Sequence, residues 1–158
     1  MRLSDIVVEA AIVTSLSGKD RDSVIAEMVD AVVKADAPLA KVREELVTRV
    51  LDREKRGSTG FGRGVAVPHV KHKAIKKMSA AIGLSQGGVD FNSLDRQPVY
   101  SVFLLLSPED RPEEHLQAME VIFKNLSKET FRRFLRQAGT VDEVKSLLEE
   151  ADSQQLAG

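Results

Sequence analysis

The 158-residue chain carries 23 Lys and Arg against 24 Asp and Glu, a formal net charge of -1, which leaves no basic excess to hold nucleic acid or an anionic membrane surface. Cysteine is absent, which removes disulfides, thiolate nucleophiles and Cys-rich zinc sites together and is compatible with a reducing compartment. The longest apolar run, Val102 to Leu106, is strand-sized and far short of the roughly 20 residues of a membrane span. A chain of this length is expected to form one domain whose core needs no covalent staple. The start MRLSDIVVEAAIV has neither a strong cationic segment nor a small-residue cleavage site, so the cytoplasm is the expected location.

In chain order, Val24, Ile25, Met28, Val29, Val32 and Val33 recur at helical spacing and predict an amphipathic helix over Asp20 to Lys34, with Ser17 or Asp20 as its cap. Val42, Leu46, Val47, Val50 and Leu51 predict a second helix from Leu39 to Lys55, with Pro38 near its first turn and Gly57 just past its end. Glycine-rich turns then separate three predicted strands, Gly64 to Val67, Ser79 to Ser85 and Val99 to Ser107. The last of these is apolar at nearly every position from Tyr100 to Leu106, as a strand covered on both faces would be. A helix over Pro112 to Asn125 is predicted to carry Leu116, Met119, Ile122 and Phe123 on one apolar face, continued by Leu126, with a Phe131, Phe134 and Leu135 segment after it. Thr140 and Glu143 form a capping box before Val144, Leu147 and Leu148, and Ala151 to Gly158 read as frayed. The pattern predicts a single α/β domain, a mixed central sheet flanked by helices on both faces.

The run GSTGFGRGVAVPH, Gly57 to His69, concentrates the chemistry. A neutral imidazole is nucleophilic near neutral pH and forms a labile N–P bond, so His69 is the candidate phosphoryl acceptor. A bound phosphoryl group carries close to two negative charges and needs backbone N–H donors, hydroxyls and a cation. Ser58, Thr59 and Gly60 are the candidate phosphate-binding residues, and Arg53, Lys55, Arg56 and Arg63 the candidate cations. Taken alone, the glycines also suit a plain turn and His69 a packed residue. No Gly-Lys-Ser/Thr closes the loop and no dinucleotide fingerprint is present, which argues against a nucleotide. The H-x-x-H pair His69 and His72 does not have helical metal-ligand spacing, so no metal is expected. His115 falls in the first turn of a helix directly after the buried strand, where an α/β sheet often forms its crevice, although a solvated helix residue fits as well.

REKRGSTGFGRGVAVPH, from Arg53 to His69, resembles the phosphorylation-site signature of the enzyme IIA proteins of the bacterial phosphoenolpyruvate-dependent sugar phosphotransferase system, of the fructose, mannitol and nitrogen-regulatory type. FNSLDRQPV from Phe91, VFLLLSP ending at Pro108, and the pair His115 and Leu116 extend the resemblance over nearly the whole chain. The resemblance implies that His69 accepts a phosphoryl group from the phosphohistidine of the carrier protein HPr or its nitrogen-type paralogue. It implies that His115 is a second active-site imidazole, that Arg53 helps hold the phosphoryl oxygens, and that neither a metal nor another cofactor takes part. Arg63 stands where the family usually has asparagine, and Val70 where it usually has glycine; the first adds a cation and the second removes backbone freedom beside the nucleophile.

Two roles are compatible with this reading. The first is a regulatory protein whose phosphorylation state governs binding to target proteins; the second is a sugar-transport component that passes phosphate to a separate IIB protein. The chain length and the GSTG run favour regulation. A third possibility is a domain that keeps the fold and has lost the relay.

Overall fold

The computed structural model describes residues 1–157. A short helix, α1 (Leu3–Ile6), leads into strand β1 (Val7–Val13) and helix α2 (Arg21–Ala35). Asp20 is the cap, its carboxylate accepting the Ser23 N–H at 2.8 Å. The predicted second helix is two pieces, a 3-10 turn (Ala37–Val42) holding Pro38 and then α3 (Arg43–Arg56). Val42, at φ -117° and ψ 13°, leaves helical geometry and separates them. The strands are β2 (Gly60–Gly62), β3 (Val65–Ala66), β4 (His69–His72), β5 (Ser79–Val89) and β6 (Val99–Pro108), followed by helices α4 (Pro112–Leu126), α5 (Glu129–Gln137) and α6 (Val141–Ala157).

The sheet runs β1-β5-β6-β3-β2, with β4 also paired to β6. It is mixed: β1 on β5, β3 on β6 and β4 on β6 are parallel, while β5 on β6 and β2 on β3 are antiparallel. Strand β6 is covered on both faces, as its unbroken apolar run predicts. Val102, Leu104 and Leu106 enter the core beneath α2 and α3, and Phe103 and Leu105 enter the core beneath α4, α5 and α6. The period of two along one strand therefore places helices on both sides of the sheet.

Several boundaries differ from the sequence expectations. The chain does not stop being a strand at Pro68: it resumes at His69 as β4. Strands β1 and β2 carry no sequence assignment. Ala151 and Asp152, read from sequence as the start of a frayed end, are buried, and Asp152 accepts the Leu3 N–H at 2.8 Å, which anchors α6 to α1. Gly158 lies outside the described residues. Half of the expected capping box is present: the Glu143 N–H donates to the Thr140 hydroxyl at 3.1 Å, while the Glu143 carboxylate accepts from that hydroxyl at 3.2 Å and not from the Thr140 N–H.

The largest correction concerns α4. Its buried face is His115, Ala118, Ile122, Asn125 and Leu126, whereas Leu116 is 62% exposed and Phe123 37%. Spacings of three and four join these buried positions as well as they join the predicted apolar ones, and the polar His115 and Asn125 hid the face. Asn125 is satisfied by donating to the Val121 carbonyl at 2.9 Å. Among the described residues no helix is long and apolar enough to cross a membrane.

The orientation of α4 sets the position of His115, and it has a stability consequence. Ile122→Ala should cost about 2–5 kcal/mol, as deletion of a fully buried aliphatic side chain does. Leu116→Ala should stay within about 0.5 kcal/mol. Urea denaturation of both variants checks this, and comparable losses would contradict the face described.

Candidate active site

The site grows out of an interruption in the sheet. Strands β3 and β4 pair with the same side of β6, at Val65 opposite Ser101 and at His69 opposite Leu105, so they are one strand broken at Val67 and Pro68. Proline has no N–H and cannot continue a ladder. Here the Pro68 carbonyl accepts the Leu105 N–H at 3.0 Å, and the Val67 N–H turns to the Thr59 carbonyl at 3.2 Å. The Val67 carbonyl lies 2.9 Å from His69 Nδ1. A carbonyl can only accept, so Nδ1 carries the proton and Nε2 holds the free lone pair.

His115 reaches the same place from the first turn of α4. Its Nδ1 is 2.6 Å from the hydroxyl of Ser107, a fully buried residue near the end of β6 that also lies 2.9 Å from Met78 Sδ. The two imidazole rings are 5.6 Å apart between centroids and inclined at 53°. Burial pushes His115 down to about 4, with repulsion from His69 when that ring is protonated and from Lys71 adding to it. Burial also lowers His69; its bond to Val67 and the charge of Glu54 oppose this, while Arg53 and Lys71 reinforce it. Both rings are therefore neutral near pH 7.

Arg53 is half-buried in the last turn of α3, where Nη1–H donates to the Gly57 carbonyl at 2.7 Å. This bond ties the cation to the first residue of the loop. Lys71 is the cation that sequence reading missed. It stands two residues beyond His69 on β4, so the alternation of a strand puts both on one face. The same alternation sends His72 to the opposite face, where it is buried with Nδ1 accepting the Ala74 N–H at 2.9 Å and Nε2 3.2 Å from Glu45. Val70 also points that way, into the core beneath α2 and α3. Arg63 lies elsewhere, beside Tyr100 at the far end of β6.

Ser58, Thr59 and Gly60 occupy the loop as expected, but their polar groups already have partners. The Ser58 hydroxyl donates to the Phe91 carbonyl at 2.6 Å and accepts the Gly60 N–H at 3.0 Å. The N–H and hydroxyl of Thr59 both donate to the buried carboxylate of Glu54. A Cβ on Gly60 would collide with the Ser93 hydroxyl, so this glycine is needed for close approach. These three residues shape the loop, and Glu54 holds it. Glu54 is legible in REKR only as one charge among four, and Ser107 only as a polar residue closing an apolar strand.

Known proteins share this architecture. The family model described as phosphoenolpyruvate-dependent sugar phosphotransferase system, EIIA 2, matches residues 5–151. The nitrogen regulatory protein of Bradyrhizobium diazoefficiens is 34% identical over 149 residues, covering 94% of this chain and 95% of that protein. The fructose-specific EIIABC component of Bacillus subtilis is 31% identical over 152 residues, 96% of this chain; the chain spans only 24% of that longer protein. The crystal structure of nitrogen regulatory protein IIA-Ntr from Neisseria meningitidis superposes with a TM-score of 0.80 at 29% identity, covering 92% of this chain and 98% of that one. With the family model spanning almost the whole chain and the fold matching in full, this protein belongs to the EIIA type 2 family of the phosphoenolpyruvate-dependent sugar phosphotransferase system.

Proposed function

We propose that His69 is the phosphoryl acceptor of this domain, taking the group from the phosphohistidine of an HPr-type carrier in the cytoplasm. The observation that carries the reading is the His69 ring itself: neutral, protonated on Nδ1 by its bond to Val67, half-buried, and within the field of Arg53 and Lys71. Its Nε2 lone pair attacks the phosphorus in line while the P–N bond of the donor breaks and its electron pair returns to the donor imidazole. The ring then carries positive charge, which the Val67 carbonyl stabilises through the Nδ1 proton. Arg53 and Lys71 offset the charge on the equatorial oxygens, and His115, fixed by Ser107, lies beside the transferring group.

Similarity to nitrogen regulatory proteins over nearly their full length supports a regulatory role first, with phosphorylation switching the binding of target proteins. The similarity to a fructose-specific component supports the second reading, transfer onward to a separate IIB protein.

A His69→Ala protein with unchanged circular dichroism should take up no acid-labile phosphate from phosphorylated HPr, while wild type labels. Labelling of the folded variant would overturn the assignment. Ring NMR should show His115 titrating near 4 and His69 below 6.5. Because a depressed histidine binds more protons when unfolded, His115 contributes stability that is complete above its unfolded value near 6.5 and is lost as pH falls through about 4. The transfer rate should rise with pH through the His69 transition and level off by neutrality; a rate that falls across this range is incompatible with a neutral nucleophile. Glu54→Ala should destabilise the protein by about 1–3 kcal/mol in urea melts, since it strands the Thr59 donors in a buried place.

A further inference from the structure

The cavity at the far end of β6 has no part in the relay. It encloses about 690 Å³ between α5 and the turn that joins β2 to β3, within the size range of small-molecule sites. Its level on β6 is Ser101, four positions from the Leu105 level of His69, or roughly 13 Å along the strand. Four arginines line it: Arg63 from the turn, and Arg132, Arg133 and Arg136 from α5.

Among the described residues none of these guanidinium groups has a carboxylate at ion-pair distance. Two carboxylates line the same cavity. Asp95 is engaged with backbone, accepting the Arg63 N–H and the Gln97 N–H at 3.0 Å each, and Glu129 pairs with no arginine. Arg132 and Arg136 are one helical turn apart, a spacing at which like charges repel. The Arg136 guanidinium sits over the Tyr100 ring, 3.5 Å from its centroid, Arg133 over the Phe134 ring at 5.3 Å, and Arg132 donates to the Leu126 carbonyl at 2.8 Å, so three of the four have side-chain or backbone contacts that position them. Arg63 adds a backbone observation. Its φ is +60°, a left-handed conformation that asparagine or glycine adopts more readily, so the backbone alone does not select an arginine there.

We propose that this cavity binds a small phosphorylated compound carrying two or more linked phosphoryl groups. Guanidinium forks match phosphate oxygens bidentately, and donors approaching from two sides of a cavity match a chain of phosphates better than a single one. The ligand relieves the repulsion along α5 and supplies counter-charge to guanidinium groups that have no carboxylate at ion-pair distance. A nucleoside diphosphate and an inorganic polyphosphate share this chemistry.

Calorimetric titration of the full chain at about 0.15 M salt, where weak surface attraction is screened, tests the site with tripolyphosphate, ADP and orthophosphate. Tripolyphosphate or ADP should saturate at one per chain, with orthophosphate at least roughly tenfold weaker. ADP binding tighter than tripolyphosphate would support a nucleotide, and the reverse an inorganic chain. Arg136→Gln and Arg63→Asn should each weaken binding at least about tenfold; Arg63→Asn suits the left-handed backbone and removes only the guanidinium. His69→Ala should bind as wild type, which separates this site from the relay. Absence of saturation, indifference to both arginine substitutions, loss of binding in His69→Ala, or equal competition by polyglutamate, which would mark an acidic protein surface, overturns the proposal.

Discussion

One hydrogen bond, from His69 Nδ1 to the Val67 carbonyl, decides which nitrogen of the ring is free. That bond lies where the pairing with β6 is interrupted. Were residue 68 able to donate, β3 and β4 could pair with β6 as one ladder; instead the chain breaks for two residues and starts again on the histidine. Pro68 ends the β3 pairing without shifting the register, since Val65 faces Ser101 and His69 faces Leu105 at the same offset. The unbroken alternation turns His69 and Lys71 to the face that α4 covers. The partner imidazole arrives by an independent route, the sharp return from β6 into α4, with Ser107 and His115 meeting across it.

The glycine-rich loop has a different physical character from the one its composition suggests. A nest that binds phosphate keeps backbone N–H groups open toward the ligand. Here the Ser58, Thr59 and Gly60 donors are satisfied within the protein, by Phe91, Glu54 and Ser58 itself. A buried carboxylate at the end of α3 is the organising group, because leaving either it or Thr59 unpaired would cost more than the bond between them gains. The loop is thereby a rigid strap from α3 to the sheet, and Arg53 is tied to its first carbonyl. Rigidity, more than donor count, is what the loop lends the site.

The fold was legible where pattern and burial coincide. The unbroken apolar run of β6 announced a strand covered on both sides, and the spacing of Val24 through Val32 announced α2 with its Asp20 cap. It was not legible where a polar residue occupies a buried position. His115 and Asn125 form part of the inward face of α4, each satisfied by a neighbour that only tertiary structure supplies, so the apolar Leu116 and Phe123 were read as core in their place. Phe123 instead meets Phe61 of β2, ring centroids 4.9 Å apart, a contact between segments about 60 residues distant that no local period encodes. Strand β2 is three residues long, below the length at which alternation can be distinguished from a turn, whereas β3 falls within the predicted Gly64 to Val67 strand. Of the residues gathered at the candidate site, His69, His115 and Arg53 were named from motif and resemblance, while Glu54, Ser107 and Lys71 emerge only from the packing that surrounds them.

The electrostatics of the pair suit a group that must be uncharged while waiting and surrounded by cations while charged. Burial disfavours protonation of both rings, and each further positive charge nearby, whether Arg53, Lys71 or the other imidazole, disfavours it more. The same cations attract a dianion. On the proposed reading, the field that keeps the His69 lone pair available is also the field that would stabilise a group bound there. A dianion on Nε2 would, on the same reading, oppose the charge of Lys71 at His115 and make protonation of that ring less costly. Protonation of His115 would then add a second N–H donor to the one a neutral imidazole already carries.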